Sequence, residues 1–297
     1  ASAQVTPEAT KDAFSVYGVA DAAYQSGTGS IANKTSLVSG SNMTSRLGFQ
    51  GARSLNNGLT MGFVYEAQVN TDAGDGSPTN TNNQTTGTTT ATAGTQGLVF
   101  ARRATVSLTG SAGELRLGRD YTSQYRNRVE FDPLSNVGVG TSQVHAATIG
   151  GPVSTRASNI IAYFLPSNSL GVYGQIQQYF GENVSNATTP NDGNGSSLRI
   201  GYKTGPFNIS VSAANTSYAQ SATTGDIGSS SIGMSYTHPL ATLMAASYQD
   251  KVNTTNGQTA TGSILGAIVP AGNGQFKIAL SRYATDAAGN PESMKSA

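Results

Sequence analysis

A period of two constrains this chain more than any other feature. In residues 196–213, Leu198, Ile200 and Tyr202 alternate with Arg199, Gly201 and Lys203. A Gly205-Pro206 turn follows, and then Phe207, Ile209, Val211 and Ala213 alternate with Asn208, Ser210 and Ser212. Successive side chains of a strand point to opposite faces, so each strand here has one apolar face and one polar, even charged, face. In a soluble sandwich the polar face meets bulk water. In a membrane barrel the apolar face meets lipid and the polar face lines a wet lumen.

Composition favours the hollow alternative. Hydrophobic residues make up 37% of 297, with 36 glycines, well below the roughly half-apolar make-up of a large soluble domain. Disorder is excluded because the apolar residues come in period-2 sets and the net charge is only +1. Absence of cysteine rules out a disulfide scaffold and thiolate metal sites. The balanced charge gives no basic stripe for nucleic acid. No apolar run reaches the ~18 residues of a transmembrane helix, which says nothing against a barrel.

Tight turns are predicted at Asn56-Asn57-Gly58, Ser111-Ala112-Gly113, Pro166-Ser167-Asn168, Gly205-Pro206, His238-Pro239 and Gly272-Asn273-Gly274, each between two alternating runs as a hairpin requires. Long connections fall between the hairpins, over 26–43, 70–96, 121–155, 182–195, 218–229 and 250–261. The stretch 77–95 is nearly all Thr, Asn, Gly and Ser and reads as a solvated loop without packing of its own. No helical pattern of useful length appears. Short turns on one rim and long loops on the other are the asymmetry of outer-membrane barrels. The fold class predicted is therefore all-β, a transmembrane antiparallel β-barrel forming one domain over 1–297. A secreted or adhesive all-β protein without a pore is the alternative. About thirteen strands are counted, yet a barrel in lipid must close and bacterial single-chain barrels have even strand numbers. The chain stops in polar loop sequence at Asn290–Ala297 after the strand Phe276–Tyr283, so about three further strands are expected beyond it.

Several motifs in order resemble a known family. Tyr17-Gly18-Val19-Ala20-Asp21 is similar to the opening strand of Gram-negative general porins. Ser45-Arg46-Leu47-Gly48-Phe49 and Leu59–Glu66 resemble the next hairpin, and Ala101–Leu108 with Gly113–Asp120 the strands before the constriction loop. Phe131-Asp132-Pro133 resembles the loop itself. The resemblance is closest to the anion-selective porins of beta-proteobacteria. It implies a sixteen-stranded homotrimer in the outer membrane of a Gram-negative bacterium, with its third long loop folded into the lumen. It further implies contact with outer-membrane lipid and lipopolysaccharide, and small ions and hydrophilic solutes passing by diffusion. No cofactor, metal or enzymatic activity is expected. His145 and His238 are the only histidines, and no ligand spacing or Ser/His/acid grouping links them to chemistry.

A pore selects by width and fixed charge, so the residues sought are lumen charges. Arg46 alternates against Leu47 and Phe49, which points it inward; an outward charge at the bilayer midplane costs ~2–4 kcal/mol. The competing reading is a rim arginine meeting headgroups. Arg102 and Arg103 are adjacent and cannot both face inward in a regular strand. Local alternation selects Arg103, the resemblance selects Arg102, and a bulge could change parity, so both stay candidates. Arg116 shares the inward parity of Glu114, with Asp120 at the end of the same strand. The resemblance sets Arg156 beside Arg46 and Arg102; on the residues alone an ordinary loop-end arginine fits as well. The loop 121–155 carries Arg126, Arg128, Glu130 and Asp132, with Phe131, Pro133 and Leu134 available to pack it against a wall. Glu130 and Asp132 are expected to face the arginines across the lumen. Glu66 is expected in the lumen, supporting an arginine through a charge-assisted bond. A substrate-specific channel is the second alternative; it would need an aromatic track, and most tyrosines are assigned to outward faces.

Overall fold

The computed structural model describes residues 12–28, 33–85, 98–138, 141–146, 149–286 and 292–296. The strands are β1 (Ala13–Val19), β2 (Ala22–Gly27), β3 (Lys34–Ser39), β4 (Arg46–Ser54), β5 (Thr60–Gln68), β6 (Arg103–Gly110), β7 (Gly113–Tyr121) and β8 (Arg156–Phe164). They continue as β9 (Val172–Tyr179), β10 (Gly195–Thr204), β11 (Phe207–Thr216), β12 (Ile227–His238), β13 (Ala241–Val252), β14 (Gln258–Ala271), β15 (Gly274–Thr285) and β16 (Glu292–Ser296). Two short helices, α1 (Ser123–Glu130) and α2 (Gln143–Ala146), lie between β7 and β8.

Fourteen strands form one antiparallel sheet in the order β1-β4-β5 and then consecutively to β16, while β2 and β3 form a separate hairpin. Nearest-neighbour antiparallel order sends alternate connections to the same rim. All six tight turns therefore share one rim, and the long connections share the other.

The sheet is apolar outside and polar inside. Leu198, Ile200, Ile209, Met234, Leu265 and Leu280 are exposed, while Ser210, Ser212, Ser229, Ser231 and Ser281 are buried. An exposed apolar surface this extensive is untenable in water, where patches beyond a few hundred Å² are rare; it suits lipid. The segment between β7 and β8 folds into the interior. Ser123 bonds Gln177 of β9, Asn127 bonds Ser231 of β12, Arg128 pairs with Asp250 of β13, and Ile149 donates its backbone N–H to Tyr283 of β15. At the other end of the sheet, Gly138 approaches the Ser41 carbonyl so closely that a Cβ would sit 2.0 Å from it. Laid flat, fourteen strands would span roughly 60 Å at ~4.8 Å spacing. One loop reaches both ends only because the sheet is rolled around it.

Four expectations need correction. The connection 26–43 is not wholly loop, since β2 and β3 pair from Ala22↔Ser39 to Gly27↔Lys34. Its base is fixed by Asp21, whose carboxylate accepts the backbone N–H groups of Ser41, Asn42 and Met43. These bonds hold that carboxyl below its usual range. The stretch 250–261 is mainly strand, with only residues 253–257 between β13 and β14. Part of 77–95 packs: the Asn83 amide bonds the carbonyls of Ser158 and Phe180, and Gln84 that of Asp192. Residues 86–95 of that stretch lie outside the described residues. Lastly, polar residues 292–296 form β16, registered on β15 from Leu280↔Ser296 to Ala284↔Glu292. Main-chain bonding makes a strand without demanding apolar side chains. The count is thus sixteen strands among the described residues, fourteen of them in the large sheet, and β1 and β16 are its two end strands.

Candidate pore constriction

The inward-facing charges form three groups. The first is a chain along the wall. Arg46 opens β4, and Glu66 of β5 lies opposite Gly48. The Arg46 Nε is 3.5 Å from Glu66 Oε2, and Arg102 Nε donates to Glu66 Oε1 at 2.6 Å. Tyr17 of β1 donates its hydroxyl to the same carboxylate at 3.0 Å. Arg102 also donates to the Tyr121 hydroxyl oxygen at 2.8 Å, and Arg156 of β8 donates to that oxygen at 2.9 Å. The Arg156 guanidinium stands 4.4 Å from the Tyr121 ring centre, and Tyr121 stacks on Tyr125 with centroids 5.2 Å apart. Arg46 and Arg102 therefore share one carboxylate, and the Tyr121 hydroxyl links Arg102 to Arg156.

The second group is sealed beneath the loop. Asp120 accepts Arg116 at 2.6 Å and Arg126 at 3.0 Å, with Arg103 3.9 Å away. Arg116 grips Glu114 through two bonds, of 2.8 and 2.9 Å, and lies over the Phe164 ring. Arg116 has the inward parity expected of it and Asp120 lies beside it, but both are buried. They tie α1 to β7 and do not face open water. A bulge in the β7–β8 pairing between Gly118 and Asp120 accommodates this, with Gly118 at φ +119°.

The third group holds the loop to the far wall. Arg128 and Asp250 meet at 2.5 Å with side chains 2% and 1% exposed. Arg128 is thus a buried anchor, which corrects its assignment to the pore lining. Asp132 is also corrected. Its oxygens accept the backbone N–H groups of Leu134 and Asn136 and lie 3.4 Å from His145, away from the arginines. A short carboxylate readily captures backbone donors two residues on, which folds a turn. Burial holds the His145 imidazolium below its ordinary range. Glu130 alone of the two loop acids stays open, at 45% side-chain exposure, and it faces Arg199 of β10 at 3.9 Å and Asn208 of β11 at 3.0 Å. It does not oppose Arg46, Arg102 and Arg156.

Both Arg102 and Arg103 turn to the inner side of the sheet. Arg103 is the first residue of β6, registered on Glu66, and bonds Thr105 on the inward face. Arg102 lies in the bend before the strand, so strict alternation does not bind it. The supporting bond expected of Glu66 is present. Sequence reasoning missed Tyr17, Tyr121, Tyr125, Asn127 and Arg199. Contrary to expectation, Tyr17, Tyr173, Tyr179, Tyr248 and Tyr283 turn inward: Tyr173 bonds Asn208, and the others are buried or bonded to inner groups. Helix α1 was likewise invisible because its docking face is polar. Ser123, Gln124, Asn127 and Arg128 are its buried residues, so no apolar stripe marks it.

Comparison with known proteins agrees with this architecture. The family described as Gram-negative porin matches residues 1–296. Outer membrane porin protein 32 of Delftia acidovorans is 30% identical over 247 residues, covering 81% of this chain. The alignment spans 65% of that protein's own length, just under two thirds. The structure of the anion-selective porin from Comamonas acidovorans superposes with a TM-score of 0.80 at 25% identity, covering 96% of this chain and 82% of that one. A trimer form of the outer-membrane protein OmpT of Vibrio cholerae shares the fold, with a TM-score of 0.64 at 11% identity, covering 97% and 82%. The rolled sheet, the inserted loop and the inverted faces are thus those of a transmembrane outer-membrane barrel, and the chain belongs to the Gram-negative porin family.

Proposed function

We propose that the protein forms a water-filled channel in the outer membrane through which small hydrophilic solutes and ions diffuse passively, with anions preferred, and that it catalyses no reaction. The observation that carries this reading is the wall chain itself: Arg46 and Arg102 share one carboxylate, Glu66, and Arg156 joins them through the Tyr121 hydroxyl. Glu130, the open loop acid, faces Arg199. In a narrow passage with low-dielectric walls, a few fixed charges set ion preference regardless of the whole-chain charge. We assign Arg46, Arg102, Arg156 and Glu66 to the constriction, with Tyr121 orienting the Arg102 and Arg156 guanidinium groups and Arg103 standing behind them, 3.9 Å from Asp120.

A homotrimer is part of the proposal. Phe14, Phe63, Tyr65, Phe100 and Phe49 make a continuous run of ring contacts across β1, β4, β5 and the residues leading into β6, a concentrated surface for a second copy. Planar-bilayer recording tests the channel. Zero-current potentials in a salt gradient should show anion preference, fading as the Debye length falls from ~10 Å at 0.1 M to ~3 Å at 1 M. The double substitution Arg46→Ser with Arg102→Ser should move the preference towards cations. An unchanged reversal potential in that variant would remove these arginines from the pore. The stacked Tyr121–Tyr125 pair beside Arg156 favours one refinement, a solute-binding step, which saturable block of conductance by one solute would reveal.

A further inference from the structure

Three glycines stand on the inner face of the wall where the inserted segment lies. Register places Gly233, Ala246 and Ile264 directly opposite one another across β12, β13 and β14. Gly262 and Gly266 flank Ile264 on β14, two residues to either side, and Ile264 is wholly buried. Other wall glycines lie under rings of their own sheet, as Gly48 does under Tyr17, Gly51 under Phe63 and Gly201 under Tyr173. Gly233, Gly262 and Gly266 instead meet the segment between β7 and β8. A Cβ built on Gly233 would sit 2.1 Å from the Phe131 ring, one on Gly266 2.3 Å from the Pro133 ring, and one on Gly262 2.9 Å from a Val144 methyl group. Carbon atoms pack at ~3.5–4 Å, so nothing larger than hydrogen fits under Phe131 or Pro133 at this depth.

Polar bonds and packing divide the positioning of the segment between them. Asn127 bonded to Ser231 and Arg128 paired with Asp250 fix where it lies along the wall. The rings of Phe131 and Pro133, resting on bare backbone, fix how far it stands off the wall. Phe131 is wholly buried, while its neighbour Glu130 is open to the lumen at 45% side-chain exposure. A change in stand-off at Phe131 is therefore passed directly to the open cross-section.

We propose that Gly233, with Gly262 and Gly266 beside it, determines the width of the passage: the glycines are sockets that let the inserted segment lie flush on β12 and β14, and they thereby set the size limit of the solutes that pass. The proposal rests on the channel reading and adds its size determinant. Gly233 is the discriminating position, because the atoms nearest its added Cβ all belong to the Phe131 ring, whereas Gly266 also approaches the Ile278 carbonyl and Gly262 the Tyr283 ring.

The test is Gly233→Ala in the full chain. The Phe131 ring must retreat from 2.1 Å to ordinary contact, an advance into the lumen of ~1.5 Å. Taking a passage roughly 8 Å wide, that removes about a fifth of its width. Single-channel conductance should fall by about that fraction, and the largest polyethylene glycol that enters the pore should be smaller. Gly228→Ala in the same strand, where the added Cβ meets nothing within 4 Å, should match the parent. Gly233→Ala combined with Phe131→Ala removes the colliding ring and should restore the conductance. A crystal structure of Gly233→Ala should show residues 130–133 moved towards the lumen, with β12 to β14 in place. Parental conductance and polymer limit in the folded Gly233→Ala variant would overturn the proposal, as would a structure in which the wall bows outwards and the segment stays. Poor folding that Phe131→Ala does not rescue would make Gly233 a requirement of the wall alone, which also overturns it. A parent chain that conducts nothing would instead overturn the channel reading, leaving the crystal structure to judge the sockets separately.

Discussion

Glu66 offers the sharpest test of how the wall chain works, because it is the carboxylate that Arg46 and Arg102 share. Glu66→Gln keeps the shape and keeps an oxygen to accept the Arg102 Nε–H, now made at 2.6 Å. It removes one negative charge. Taking an effective dielectric of about 40 and an ion roughly 8 Å away, that charge is worth ~1 kcal/mol, and screening at 0.1 M halves it. About 0.5 kcal/mol raises anion partition roughly twofold and lowers cation partition equally, so the permeability ratio moves about fivefold. The assay is the reversal potential across a planar bilayer under a salt gradient, with single-channel conductance to show that the pore is intact. Anion preference should strengthen at low salt and the difference should vanish near 1 M. A shift towards cations, with conductance preserved, would refute the reasoning: it would mean that Glu66 acts by holding Arg46 and Arg102 in place and not by its charge.

Two other outcomes follow from the anchors. Arg128→Ala leaves Asp250 buried without its close partner and should cost about 3–5 kcal/mol, visible as a lower melting temperature and noisier single-channel current. Arg128→Met with Asp250→Leu should recover most of that stability. The Asp21 carboxyl, lowered by the backbone bonds of Met43, Asn42 and Ser41, stabilises the β2–β3 base above its unfolded pKa, near 4. That contribution is lost as pH falls through the lower folded value, so the protection factors of the Ser41, Asn42 and Met43 amides in hydrogen exchange should fall in acid, and Asp21→Asn should abolish that pH dependence.

What could be read from the chain was decided by where water and lipid lie. Turn chemistry is local, so all six tight turns were legible. Alternation was legible wherever lipid demands an apolar face, and it correctly turned Arg46 and Arg116 inward. The same rule applied to Arg199, between Leu198 and Ile200, would have found it too. Polar docking is silent in a hydropathy pattern, which hid α1, the Asn83 strap and the Arg128–Asp250 anchor. The β2–β3 hairpin escaped because its one strong signal, Tyr24 opposite Leu37, spans two runs that look unremarkable singly. Asp132 misled because a carboxylate in a loop reads as solvated charge, whereas this one is consumed by its own backbone.

The attachments of the inserted segment run along β9 to β15, a continuous arc of neighbouring strands. They act as an off-centre strut. A thin-walled tube braced along one arc resists ovalisation there and breathes more where the bracing is sparser, around Arg46 and Glu66, near which the segment touches down through Gly138 against Ser41. Lateral pressure from the bilayer should therefore be felt mostly as a change in how near the passing solute comes to the Arg46 guanidinium, which couples membrane tension to selectivity before it alters throughput.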